Sequence, residues 1–559
     1  MRNRIKSVLA CLLCVLSPTI WTSVWVGAET NVPTIRFESV AVTGDIKFVL
    51  DNSPTAQKHL PETMAGGVAT FDYDNDGLTD VFFTNGAAMP SLVKQGPRQW
   101  NRLYRNLGKF KFRDVTESAG LQGAGYSMAA SVADFDNDGH PDLFVAGVRR
   151  NILYRNRGDQ TFEDVTVRSG IASSEWSVGA AWLDFDNDGL LDLFIVNYVR
   201  WNPSFNTFCG DETRKIRSYC HPRLFEGSSN QLYRNLGGGR FADVSESAGI
   251  KKWKGKGMAV AVADYDGDGF ADLFVTNDKT PNFLFHNLRN GRFEEVAFET
   301  GVALPDTGTE MSSMGADFRD VDNDGLPDIV LTALAGETFP VFKNRGGGSF
   351  TDFSLRSQMG RLSRRYSGWG VGIVDFDNDG LKDIFSANSH VNDSVAAFEA
   401  TEYKQHNAIL RNLGQGRFED ASETAGADFT QAVRAHRGCA FADFDQDGRI
   451  DVVVTSLGDA PEFWRNVTPA GNKGLVVKLT GTRSNRDGIG AIVRIGNQTN
   501  HLSTAVGYAS SSDFGLHFGV GMREKLEQVE IMWPSGVRQT LRDVKTGETL
   551  LVREPAETQ

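Results

Sequence analysis

The stretch Asp134-Phe135-Asp136-Asn137-Asp138-Gly139-His140-Pro141-Asp142 decides how the whole chain is read. It puts carboxylates at positions 1, 3, 5 and 9 of a nine-residue turn and opens directly into the apolar run Leu143-Phe144-Val145. The same D-x-D-x-D-G-x-x-D pattern occurs seven times. The other six copies hold Asp72, Asp74, Asp76 and Asp80; Asp184, Asp186, Asp188 and Asp192; Asp264, Asp266, Asp268 and Asp272; Asp320, Asp322, Asp324 and Asp328; Asp375, Asp377, Asp379 and Asp383; and Asp443, Asp445, Asp447 and Asp451. Four carboxylates gathered in one tight turn repel each other. A hard divalent cation with oxygen ligands relieves that repulsion, and Ca²⁺ is the usual one. Positions 1, 3 and 5 project carboxylates inward, the glycine at 6 permits the bend, and position 9 closes the shell. Position 7 is expected to give a backbone carbonyl, so its side chain is free to vary: Leu78, His140, Leu190, Phe270, Leu326, Leu381 and Arg449. An EF-hand loop would need a bidentate Glu at position 12 and flanking helices. Position 12 here is Phe83, Val145, Ile195, Val275, Leu331, Ser386 and Val454, none of them acidic. Up to seven Ca²⁺ are expected.

Between the acidic turns a second pattern recurs, Asn-x-Leu-Tyr-Arg-Asn-x-Gly followed by Gly-x-Phe-x-Asp-Val-Thr. Clear copies run over 101–108, 151–158 and 230–237, with weaker ones at 282–288, 341–346 and 407–414. Each unit therefore contains about four short extended segments, with alternating apolar and polar residues and turn residues between them. Seven units of four strands predict an all-β fold, a seven-bladed β-propeller. Phe37-Glu38-Ser39-Val40 matches the phenylalanine strand at Phe162. It is expected to complete the blade begun by the turn at Asp443, so that the ring closes in one sheet. An open solenoid would need polar capping repeats, and none is visible in the sequence.

Size and charge agree with this reading. The chain has 559 residues, 59 of them glycine, and a formal charge of −13. The seven turns hold 28 of the 71 acidic residues. Residues 1–28 carry three basic residues and no acids, so their removal leaves −16, which seven dications would bring to about −2. The acidity belongs to built-in metal sites. Nucleic acid is not an expected partner. Arg2, Arg4 and Lys6, the apolar run from Val8 to Val26 and Val26-Gly27-Ala28 predict a signal peptide over 1–28. The mature chain is then exported, secreted or periplasmic, without integral membrane association. In an exported protein Cys209 and Cys220, eleven residues apart in one insertion, are expected to form a disulfide.

The repeats over 35–466 resemble the FG-GAP, or VCBS, repeats of the integrin α-subunit propeller, and the layout resembles the cartilage acidic protein family. That resemblance implies one Ca²⁺ in a hairpin loop of each blade, with the turn aspartates as ligands. Unit five departs mildly, at Val341-Phe342-Lys343-Asn344. From Gly474 the pattern changes. Gly488-Ile489-Gly490-Ala491, His517-Phe518-Gly519-Val520-Gly521 and Trp533-Pro534-Ser535-Gly536 resemble the ASPIC/UnbV domain, which implies a small all-β module over 474–553.

Seven near-identical ion sites argue for structural metal, because catalysis by a metal needs an open coordination position and a neighbouring acid or base. Variation is concentrated in one connection of the unit, which is long at 85–100, 197–229 and 388–406. Equivalent connections emerge on one propeller face, so these insertions are expected to crowd one rim. They carry Trp100, Tyr198, Trp201, Phe205, Phe208, Tyr219, His221, His390 and Tyr403. Such a set suits binding of a protein or glycan, or packs the loops themselves. The reading is a non-catalytic, calcium-stabilised binding or adhesion module. A propeller-borne polysaccharide lyase or hydrolase, and an accessory role in secondary metabolism, are the alternatives.

Overall fold

The computed structural model describes residues 34–40, 43–44, 46–513 and 515–556. The expected signal peptide over 1–28 lies outside the described residues. Thr34–Gln559 forms one compact unit.

Blade two shows how the repeat folds. Tyr126–Ala133 runs into the acidic turn, Asp142–Val148 leaves it, Ile152–Asn156 carries Leu-Tyr-Arg-Asn, and Phe162–Asp164 is outermost. All three pairings are antiparallel, with Leu143 opposite Tyr154 and Asn156 opposite Phe162. The two inner strands are buried along their whole length. A strand covered on both faces reads as a continuous apolar run, which explains Leu143-Phe144-Val145-Ala146. Among the described residues seven sheets contain this four-strand unit. Their innermost strands begin at Val68, Tyr126, Ser177, Gly257, Ala316, Gly368 and His436, each packs beside the next, and the last returns to the first. That closed cycle is a seven-bladed propeller. Val341–Asn344 of blade five pairs in the regular register despite its divergent sequence.

The ring closes as the phenylalanine pattern predicts. Phe37–Ser39 is the outer strand of blade seven, with Phe37 opposite Asn466. Phe37 itself is buried against Phe376 and Phe429.

The segment after the ring contains seven strands in two sheets. Lys473–Thr480 lies between Leu516–Gly521 and Thr549–Arg553. The other sheet orders Gln498–His501, Ile492–Ile495, Lys525–Met532 and Arg538–Lys545. Between Gln498–His501 and Leu516–Gly521 the chain makes an excursion, Ala505–Val506 and Ser510–Ser511, that threads the ring. Ser511 pairs with Ala69 of blade one, Gly507 exchanges both backbone hydrogen bonds with Ala316 of blade five, and the amide of Ala130 in blade two donates to the Ala509 carbonyl. At the tip the Tyr508 hydroxyl donates to the Met64 carbonyl, and its ring meets Trp369 edge-on. Close approach demands glycine here. A Cβ on Gly67 would strike the Ala509 carbonyl, and one on Gly438 would strike the Ser510 hydroxyl.

Candidate metal centres in the blade turns

Each turn is organised by its own carboxylates before any ion is considered. In blade two, Asp134 accepts from the amides of Asp138 and Gly139, and Asp138 accepts from the amide of His140. Asp142 ties the turn to the sheet, because its Oδ2 accepts from Phe135 and its Oδ1 from Asn156. The glycine at position 6 has φ between 83° and 95° in every copy, the left-handed region that the bend requires.

The remaining carboxylate oxygens converge. Donor atoms of Asp134, Asp136 and Asp142 lie within 4.8 Å of one another, and so do those of the corresponding residues in blades one, three and four. The third-position aspartate keeps a buried oxygen with no hydrogen-bond partner in five blades: Asp74, Asp136, Asp186, Asp322 and Asp445, each at Oδ1. Such orphaned acceptors are costly unless something positive faces them. Without a cation, burial and then neighbouring carboxylates push the most deeply set of the turn acids up. Asp134 reaches about 8, helped by Asp487, and Asp184 reaches about 7. At position 9, Asp328 rises to about 8, and Asp80, Asp142 and Asp451 rise well above the ordinary carboxylate range. Groups arranged in this way fit a divalent ion. Positions 1, 3, 5 and 9 would hold it with hard oxygens, and its charge would supply what the buried acids lack.

Two partners of the turns come from the Leu-Tyr-Arg-Asn strand, and the sequence reading passed over both. The arginine lies across the acids at positions 3 and 5. Arg105 reaches Asp74 and Asp76, Arg155 reaches Asp136 and Asp138, and Arg411 reaches Asp377 and Asp379. Arg234, Lys343 and Arg465 do the same in blades three, five and seven, and His286 takes the position in blade four. The asparagine stitches blade to blade. Asn156 Nδ2 donates to the Pro141 carbonyl and, across the seam, to the Tyr73 carbonyl of blade one. Asn235, Asn287, Asn344, Asn412 and Asn466 repeat this with the preceding blade, and Asn106 does so with Phe444 of blade seven, which completes the circle. A second circle runs through position 4. Asn75, Asn137, Asn187, Asn323, Asn378 and Gln446 each donate to the carbonyl of the position-6 glycine in the next turn. Blade four has Gly267 at that position. The signal for these roles was present in the sequence, since the asparagine follows every acidic turn and is preceded by arginine in five of the seven units.

Burial of Asn466 also removes it as a glycosylation acceptor, although Asn466-Val467-Thr468 has the sequon form.

The segment from 474 onward covers the turn face. Asp134 donates its amide to Asp487, and the amide of Arg486 donates to Asn137. Asn472 donates to the Asp377 carbonyl, and Gly519 packs on the Asp375 carboxylate. Lys478, paired with Asp513, raises local positive charge beside Asp72 and Asp443.

The chain's relatives agree with this architecture. FG-GAP-like repeats match at residues 72–145, 134–195, 224–275, 264–331, 320–386 and 392–454. The chain belongs to the FG-GAP-like repeat family. Residues 481–559 of this FG-GAP-like repeat protein match the ASPIC and UnbV model. Cartilage acidic protein 1 of Homo sapiens is 28% identical over 329 residues, 56% of this chain and 46% of that protein. The chain spans about half the length of the cartilage acidic proteins it matches. Integrin alpha-4 of Xenopus laevis is 28% identical over 157 residues, 25% of this chain and 15% of that protein. A solved lectin of Agrocybe aegerita aligns with a TM-score of 0.36 at 16% identity, over 75% of this chain and 92% of that one, a likeness too low to carry weight.

The opposite face carries the three insertions. Arg214 donates to the Ala397 carbonyl and lies over the Phe398 ring, so the second insertion touches the third. Lys58 pairs with Asp393, and Gln99 of the first insertion donates to Ser53. Cys209 and Cys220 are disulfide-bonded, with Cα atoms 5.2 Å apart. The aromatics divide. Tyr198, Trp201 and His390 are buried, Phe205 packs at a tilt against Phe225, and the Tyr219 hydroxyl donates to Glu62. Phe208, His221 and Phe398 are exposed. Packing of the loops thus takes up much of the aromatic set, and a smaller part faces outward. Among the described residues no helix is long and apolar enough to cross a membrane.

Proposed function

We propose that this protein is an exported, calcium-stabilised and non-catalytic binding module, which recognises a protein or glycan through the insertion face of its propeller. One observation carries the reading. The segment after the ring occupies the turn face and fills the central channel, which leaves the insertion face as the broad surface free for a partner. On that face the second and third insertions touch each other, and the chain around Ser53 and Lys58 ties in the first and third, with Phe208, Leu224 and Phe398 exposed among them. Functional loops mounted on a rigid scaffold are a common arrangement. The 35–466 and 474–553 boundaries enter this reading as a ring and its cover, and the Ca²⁺ ions as struts within the ring.

The test is a glycan array and a proteome pull-down with the mature chain in calcium, repeated with Phe208→Ser combined with Phe398→Ser. Binding that falls at least tenfold in the double variant, with unchanged melting, supports the reading. Binding that is untouched by these changes, or conversion of a bound glycan to products, refutes it.

A further inference from the structure

Six acidic turns are alike in one respect that the fourth is not. In those six, the side chain crossing positions 3 and 5 is an arginine or lysine, a fixed positive charge that cannot ligate a metal. In blade four it is His286, the one such position where a lone pair can be offered to an ion.

The imidazole is aimed inward. His286 Nδ1 lies 3.2 Å from Asp272 Oδ1 and 3.7 Å from Asp266 Oδ2. Donor atoms of His286, Asp266 and Asp268 all fall within 4.8 Å of one another, beside the Asp264, Asp266 and Asp272 group of the same turn. Donors on a four-coordinate ion with bonds of about 2.1 Å stand about 3.4 Å apart. The His286 separations straddle that value.

A plain reading would make His286 a weaker stand-in for arginine. The neighbouring sequence argues otherwise. In blades one, two, three, five and six the residue two beyond the asparagine is glycine: Gly108, Gly158, Gly237, Gly346 and Gly414. In blade four it is Arg289, held at φ 60°, and its Nε pairs with Asp268 Oδ2 at 2.7 Å. The permanent charge has moved three residues along the chain, so the turn keeps its arginine and gains an imidazole. This turn also lacks the position-4 asparagine, because Gly267 makes no bond to the next turn, and Asp266 is exposed. The fourth turn is therefore less clamped than its neighbours and open to exchange.

We propose that the blade-four turn is a mixed nitrogen–oxygen site that takes a borderline divalent ion of the zinc and cobalt class, with His286 Nδ1, Asp266 and Asp272 as ligands. Imidazole favours such ions, whereas the six all-oxygen turns favour Ca²⁺. The inference rests on the reading of the turns as ion sites and adds a different ion at one of them.

The test is titration of the full mature chain with Co²⁺ in excess Ca²⁺, followed by visible absorption and elemental analysis. One equivalent of Co²⁺ with a nitrogen-containing ligand-field spectrum is expected. His286→Arg, which restores the side chain of the other blades, should abolish it and leave melting in calcium unchanged. His140→Ala, which removes an imidazole beside the first and second turns, should leave it intact. Absence of bound Co²⁺, equal binding by His286→Arg, or loss in His140→Ala instead would overturn the proposal. Calcium content of the same samples reads the wider claim separately: calcium present with Co²⁺ indifferent to His286 sinks only the mixed site.

Discussion

Replacing Asn156 by alanine tests whether the blade-to-blade asparagines hold the ring. Asn156 is fully buried and makes three side-chain hydrogen bonds: from Nδ2 to Tyr73 at 2.8 Å and Pro141 at 3.1 Å, and to Oδ1 from Gly158 at 3.0 Å. Each is worth about 1 kcal/mol net, and stranding two carbonyls and an amide raises the loss to about 3–5 kcal/mol. Unfolding entropy of about 2.1 cal/mol/K per residue over the described ring and its cover amounts to roughly 1.1 kcal/mol/K. A ring that melts as one unit should therefore lose only about 3–5 °C. A blade pair that melts alone has about a quarter of that entropy and should lose over 10 °C. Calorimetry in calcium reads both the midpoint and the enthalpy. The control is Asn75→Gly, which keeps the left-handed backbone and loses only exposed bonds, to the Gly139 carbonyl and His140 Nδ1. It should cost about 0.5 kcal/mol or less. Equal effects of the two variants, or a loss under 1 kcal/mol for Asn156→Ala, would refute the stitching role.

Other outcomes follow from the same geometry. In chelator, the raised carboxyls of Asp134, Asp184 and Asp328 bind protons more tightly folded than unfolded, so stability should be highest near pH 4 and fall as pH rises towards about 8. Calcium should reverse that trend above about pH 5, and melting curves across pH with and without chelator read the crossing. Gly519→Ala places a methyl group on the Asp375 carboxylate and the Asn378 backbone. It should expose the 502–513 excursion to hydrogen exchange while the outer strands stay protected. Cys209→Ser should lower the melting midpoint by about 2–3 °C, because opening an eleven-residue loop costs about 2.8 kcal/mol, and should speed proteolysis inside 203–225.

Much of the ring was legible because its signals are local. Turn acids, glycine and the following apolar run lie within a dozen residues, so seven repeats could be aligned by eye, and Phe37 could be assigned to blade seven from spacing alone. Side-chain partners across a seam were harder. Arg155 and Asn156 read as ordinary strand residues, and only the fold brings them to Asp136 and Tyr73. The passage of Ala505–Ser511 through the ring had no readable sign, since Gly507-Tyr508-Ala509 shows neither periodicity nor charge and its partners are hundreds of residues away. The insertion aromatics were ambiguous for a related reason. Burial of Trp201 beside His59, or of Tyr198 on Asp278, is decided by neighbours from other parts of the ring.

A ring whose axle is made of a segment that follows all seven blades cannot be finished early. During synthesis the first outer strand waits for blade seven, and the innermost strands, with their bare glycines, wait for Tyr508 and its flanks. A chain cut short anywhere before residue 511 would present an unfilled bore and a row of uncapped acidic turns. Arrival of the 505–511 excursion and completion of the scaffold are thus the same event, and termination before it should be read out as a failure of the whole wheel.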